Sequence, residues 1–297
     1  MMPAVSAPAT SAIDRVPPVA LVITGIGSVQ FGAALATTLF DELGPSGATL
    51  LRLFFGAALL VVVWRPDPRA YERAQLRLIG AFGLVLGLMN FTFYLALDRL
   101  PLGVAVTVEF IGPLGVAVLT SKRRTDLFWA GLAAVGIVLL TNPGGASVDT
   151  LGLALAALAG LFWAAYILLA QAAGPSFQGG AGVTLAMVVA LLVPLVPGAI
   201  GGGTAFFDPT LLIVGFGVAV LSSVIPYSLE FEALRRIPAN VFGVLMSLEP
   251  GVAALAGLLV LGQSLGALQL VAIALVVAAS VGVTRAARRA DGLLTNS

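Results

Sequence analysis

Residues 89–119 read MNFTFYLALDRLPLGVAVTVEFIGPLGVAVL. Two apolar runs meet here, with only Asp98-Arg99-Leu100-Pro101 between them. A bilayer span needs about 20 mostly apolar residues. So short a connection makes neighbouring helices antiparallel. The stretch therefore reads as a helical hairpin crossing a membrane. Outward from it the pattern recurs along the chain, giving spans at 17–39, 45–64, 77–98, 101–120, 126–143, 150–171, 182–200, 210–231, 239–262 and 266–284. Composition agrees: 59% of the 297 residues are hydrophobic and 10% charged, with a mean hydropathy of +1.07. Such a chain cannot cover a soluble surface. The expected fold is an all-α polytopic membrane protein of ten transmembrane helices.

Lysine and arginine in the loops orient the spans. With the N-terminus inside, the inner segments hold Arg15, Arg65, Arg69, Arg73, Arg77, Lys122, Arg123, Arg124, Arg235, Arg236, Arg285, Arg288 and Arg289. The outer segments hold Arg99, and Arg52 lies within a span. Thirteen against one places both termini in the cytoplasm. Residues 1–16 and 285–297 read as cytoplasmic tails.

The opening hairpin has a second copy. YLALDRLP (94–101) returns as FEALRRIP (231–238) at an offset of 137, which also pairs Pro113 with Pro250. The halves are 17–143 and 150–284, five spans each. An odd number of spans turns the second half over, making an inverted-topology repeat. In secondary transporters such repeats place the substrate site at their interface.

Charges inside a bilayer cost several kcal/mol and mark function. Arg52 and Glu109 each lie roughly 10–12 Å below the outer boundary at about 1.5 Å per residue, a depth at which they are expected to pair. Glu249 is near the middle of its span with no cation at its level. With no histidine or cysteine in the chain, any proton coupling must rest on carboxylates, Glu249 first and Glu109 second. Glu230 and Glu232, beside Arg235 and Arg236, read as solvated interface residues. Proline frees the carbonyl four residues before it: Glu109 before Pro113, Ser222 before Pro226 and Met246 before Pro250. Such carbonyls can meet an ammonium group. Gln30, Asn90, Tyr94, Trp163, Tyr166, Ser223 and Tyr227 add polar or aromatic groups to spans 1, 3, 6 and 8. With Arg52, Glu109 and Glu249 they are the expected lining of one central cavity, whose acids and base suit a zwitterion. Spans 5 and 10 carry little that is polar and are expected at the periphery.

SVQFGAALATTLF (28–40), TLLRL (49–53), residues 89–119, FWAAYILLAQ (162–171) and PYSLEFEALRRIPANVFGVLMSLEP (226–250) resemble the EamA group of the drug/metabolite transporter superfamily. Within it, the likeness is nearest to threonine- and homoserine-exporting members. The resemblance implies two inverted five-helix repeats, a cavity lined by spans 1–4 and 6–9, and export of small amino acids from the cytoplasm across a bacterial inner membrane by proton antiport. The expected partners are a small amino acid or related metabolite, protons and lipid, with a homodimer left open. No cofactor, metal, nucleic acid or enzymatic activity is expected. Gly262-Gln263 departs from the Gly-Glu common in that group. The alternatives are efflux of another metabolite or drug, and a non-transporting membrane scaffold. The scaffold would have no need of charges at depth.

Overall fold

The computed structural model describes residues 16–120, 124–141, 149–173, 177, 180–234, 236–237, 242 and 245–294. Most of the N-terminal tail, Lys122, Arg123, Arg235, residues 142–148 and residues 295–297 lie outside the described residues. The described chain is helical, as hydrocarbon demands: without water, backbone N–H and C=O groups must be satisfied within the segment. The helices are α1 (Pro18–Thr37), α2 (Phe40–Trp64), α3 (Arg73–Leu97), α4 (Leu102–Glu109), α5 (Ile111–Thr120), α6 (Arg124–Thr141), α7 (Thr150–Ala173), α8 (Ala181–Ala190), α9 (Leu192–Gly202), α10 (Pro209–Ala219), α11 (Ile225–Leu234), α12 (Glu249–Leu261) and α13 (Ala267–Leu294).

Among these, α1, α2, α3 and α7 are each long and apolar enough to cross a membrane, and α8 with 192–207 forms a pair bent by 44° that qualifies together. Five shorter apolar segments accompany them: Leu102–Val116, Leu127–Leu139, Pro209–Val224, Glu249–Leu261 and Ala267–Gly282. Large apolar side chains cover the outside of the bundle, with Ile200 77% and Ile213 72% exposed, while Arg52, Glu109 and Glu249 are buried within it. This inside-out distribution suits lipid as the surrounding solvent.

Several stretches read as continuous helices are broken, and proline accounts for the breaks. Span 4 divides at Phe110, because Pro113 cannot donate to the Glu109 carbonyl. Span 7 divides at Leu191, where Pro194 leaves the Ala190 carbonyl without its helical donor. Ahead of Pro226, residues Val220–Val224 form a π-helical turn between α10 and α11. Span 2 starts earlier than expected, at Phe40, and bends at Gly44, whose φ of 64° precedes Pro45.

The two halves interlock. α3 packs on α7 and α8, and α1 on α11 and the π-turn. α2 lies against α8, α9 and α10; α12 lies against α1 and α4; α4 and α5 lie against α7; α6 lies against α13. Where α7 crosses the α4–α5 break, Gly160 faces the carbonyl that Pro113 leaves open: a Cβ on Gly160 would stand 2.5 Å from the Glu109 oxygen. That carbonyl is therefore covered by α7 rather than open to a ligand. Gly160→Val should destabilise the fold by about 1–3 kcal/mol, read as an early thermal melt of the detergent-solubilised protein. A wild-type melt would show that the crossing tolerates bulk.

Two polar contacts fix helix starts. Gln263 Oε1 accepts the Leu102 N–H at 3.0 Å, satisfying a donor at the start of α4. The departure at this position thus keeps an acceptor where a glutamate would also supply one. Asp149 precedes α7, its Oδ1 accepting from the Gly152 N–H at 2.9 Å and its Oδ2 from Arg99 Nη1 at 3.0 Å. The Gly152 hydrogen bond first, then the Arg99 guanidinium, holds the Asp149 carboxyl below its usual range. A depressed folded value means the stabilisation is present above the unfolded pKa and is lost as pH falls through the folded one. Asp149→Ala should therefore lower the melting temperature at neutral pH, and the gap from wild type should close in acid. A gap independent of pH would exclude the carboxylate as its cause.

Candidate functional site

The bundle holds a partly open cavity of about 560 Å3 whose wall draws on both halves of the chain. α1 contributes Val29, Gln30 and Ala33; α2 Arg52; α3 Met89, Asn90 and Phe93. Around the span 4 break come Glu109, Phe110, Pro113 and Leu114. From the second half come Trp163, Tyr166, Ile167 and Gln171 on α7, Ser222 in the π-turn, Pro226 and Glu230 on α11, then Phe242, Met246, Glu249 and Ser280. The rings bracket one side, with Trp163 edge-on to Phe110 at a centroid distance of 5.6 Å.

Arg52 is 9% exposed. Its Nη1 donates to the Tyr94 hydroxyl at 3.4 Å and its Nη2 to the Ser222 carbonyl at 3.3 Å, while the guanidinium carbon sits 5.4 Å from the centre of the Tyr94 ring. Pro226 cannot donate to the Ser222 carbonyl, so this proline gives the arginine its acceptor. The expected Arg52–Glu109 ion pair does not form: both side chains line the cavity, but the arginine is drawn to Tyr94 and the π-turn instead. Arg52 Nε has no hydrogen-bond partner among the described residues.

Three carboxylates share the wall. Glu109 ends α4, Glu249 starts α12 and Glu230 lies one turn beyond Pro226 on α11. None of the three accepts a hydrogen bond among the described residues. Glu230 departs from its reading as a solvated interface residue, because the α11 face set by Pro226 turns it inward beside Gly25. Glu232, two residues on, points elsewhere and pairs with Arg236 Nη2. With one guanidinium and three carboxylates on its wall, the cavity is complementary to a molecule carrying both an anionic and a cationic group.

Of the residues singled out in the sequence, Gln30, Arg52, Asn90, Glu109, Trp163, Tyr166 and Glu249 line the cavity. Tyr94 does not; it is fully buried behind Arg52 and orients it. Ser223 is buried against Gly56, and its neighbour Ser222 reaches the wall instead, as the π-turn shifts the helical register. The side chain of Tyr227 lies outside the described residues. Glu230, Gln171 and Ser280 were not expected, and Ser222 was expected through its freed carbonyl alone. Ser280 corrects the placing of span 10 at the periphery: it faces the cavity and shares a 2.7 Å hydrogen bond with Ser247. A serine in a span otherwise almost wholly apolar was the available signal.

Comparison with known proteins follows the same lines. The pattern of the EamA-like transporter family matches residues 150–285. The threonine/homoserine exporter RhtA of Salmonella typhimurium (strain SL1344) is 40% identical over 274 residues, 92% of this chain and 92% of the exporter. RhtA of Escherichia coli (strain K12) shows the same identity and coverage. A solved structure described as "Crystal structure of protein" aligns with a TM-score of 0.59 at 18% identity, covering 91% of this chain and 98% of the other. That likeness bears on the fold alone.

Proposed function

We infer the function from one premise: the chain belongs to the EamA-like transporter family. We propose that it exports small amino acids of the threonine and homoserine type from the cytoplasm by proton antiport. Its place is the bacterial inner membrane, with both termini cytoplasmic. The observation that supports the reading is one cavity lined from both halves of the chain, with Arg52, Glu109, Glu230 and Glu249 sharing its wall. The substrate carboxylate goes to Arg52, and the ammonium group goes to the carboxylates. Glu249 carries the exchanged proton, with Glu109 in reserve. Gln30, Asn90, Trp163, Tyr166, Tyr227 and Ser223 complete the binding region, Ser223 acting through the π-turn rather than by contact.

The architecture we propose is ten spans in two inverted five-helix repeats, 17–143 and 150–284. Its support is the way the helices pair. Moving each span five places along exchanges the span 3–span 6 contact (α3 on α7) with the span 8–span 1 contact (α11 on α1). The same operation returns span 2 on 7, 4 on 9 and 5 on 10 to themselves. Exchanging which repeat is closed would open the cavity alternately to each side, with the proline breaks as hinges.

Inside-out membrane vesicles containing the protein should accumulate labelled threonine and homoserine when their interior is made acidic. No accumulation of either above vesicles lacking the protein would refute the reading.

A further inference from the structure

We propose that Gln30 is the specificity-determining residue of the cavity: its amide reads a side-chain hydroxyl on the transported amino acid, so hydroxylated amino acids are taken in preference to their apolar isosteres. The inference rests on the amino-acid reading above and adds the group that distinguishes one amino acid from another.

Gln30 is 3% exposed and stands on the cavity wall. Its Oε1 is buried and has no hydrogen-bond partner among the described residues. A buried amide left unmade costs free energy, and such groups call for an explanation. A half turn of the amide would bring that oxygen to the cavity side, where a ligand supplies one. The chemistry of the amide narrows the ligand. A hydroxyl both donates and accepts, and an amide offers a C=O and an NH2 that a half turn about the last side-chain bond exchanges.

The other polar groups on the wall are committed or differently suited. Asn90 is anchored to its own helix, one N–H of its Nδ2 donating to the Leu86 carbonyl at 2.8 Å, so its amide is fixed and cannot turn to suit a ligand. The Ser222 hydroxyl is covered by Gly32 of α1, where a Cβ would collide with it. Arg52 and the three carboxylates match the charged ends that all amino acids share, so they cannot tell one from another. Among the neutral groups on the wall, which also include Gln171, Trp163 and Tyr166, Gln30 is the buried amide whose oxygen has no partner among the described residues. The site also discriminates where it must: a pocket of apolar walls separates threonine from valine poorly, because the two have nearly the same shape. A hydrogen bond to the hydroxyl separates them well, since binding valine leaves the amide unsatisfied.

The test compares wild type, Gln30→Leu and Gln30→Met in vesicles, with threonine against valine and homoserine against norvaline as competing substrates. Wild type should prefer each hydroxylated member by about tenfold or more. In the folded variants the preference should fall towards one, because the variants no longer reward the hydroxyl. A purely structural role for Gln30 would lower both members of a pair together and leave the ratio alone; that result overturns the proposal. Misfolding of both variants also overturns it, since an amide that bonds only substrate is not needed to fold. If wild type moves no amino acid at all, the exporter reading fails and this inference falls with it. If wild type moves them and the ratio is insensitive to Gln30, only the inference fails.

Discussion

Glu249→Gln is expected to abolish substrate accumulation driven by a pH gradient while leaving a folded protein that still exchanges substrate for substrate. Glutamine has the shape of the protonated acid and cannot release a proton. Glu249 is 5% exposed, lines the cavity and has no hydrogen-bond partner among the described residues. No protein group therefore neutralises or fixes its charge, and a proton or the substrate's ammonium group must do so in turn. That competition for one carboxylate is what antiport requires. The measurement is transport in proteoliposomes with and without a pH gradient. Accumulation should drop to the level seen without a gradient, whereas counterflow of labelled against unlabelled threonine should persist. Wild-type accumulation by Glu249→Gln would refute the assignment. Glu109→Gln and Glu230→Gln, tested alongside, show whether another wall carboxylate carries the proton instead.

Arg52→Met should cost the most in binding. It removes the cation from a wall that keeps three carboxylates, and with it the partner for the substrate carboxylate. Truncating one side of a buried, hydrogen-bonded charge pair costs about 2–5 kcal/mol, roughly 30-fold to 4000-fold in apparent affinity at about 1.4 kcal/mol per tenfold. Methionine keeps the length and apolar stem, so folding should survive better than transport. Tyr94→Phe should give a smaller loss of the same kind, because the Tyr94 hydroxyl holds Arg52 in place rather than meeting substrate. In a double-mutant cycle the pair should couple by about 0.5–3 kcal/mol. Threonine transport by Arg52→Met at wild-type affinity would remove Arg52 from the site.

The helical, membrane-embedded character of this protein was determined by sequence alone, as were the charged residues it carries at depth. Hydropathy reports the solvent in which a segment is stable, and that is a property of each segment taken alone. Three prolines were equally legible, because a missing N–H is a covalent fact: positions 113, 226 and 250 each stand at a helix break, whereas the break before Pro194 was not read from the sequence. Which groups those breaks bring together was decided by the tertiary structure. Arg52 and Glu109 looked like partners from their depths, but depth is one coordinate of three, and the rotation of α2 gives the guanidinium to Tyr94 and Ser222. Glu230 and Glu232 stand two residues apart on one helix, so their side chains point to nearly opposite faces. Only the packing of α11 against α1 decides that the first joins the cavity and the second pairs with Arg236. The π-turn shifts the register by a residue, putting Ser222 on the wall in place of Ser223. Local chemistry is written residue by residue, whereas a cavity belongs to the spaces between helices and exists only once they have packed.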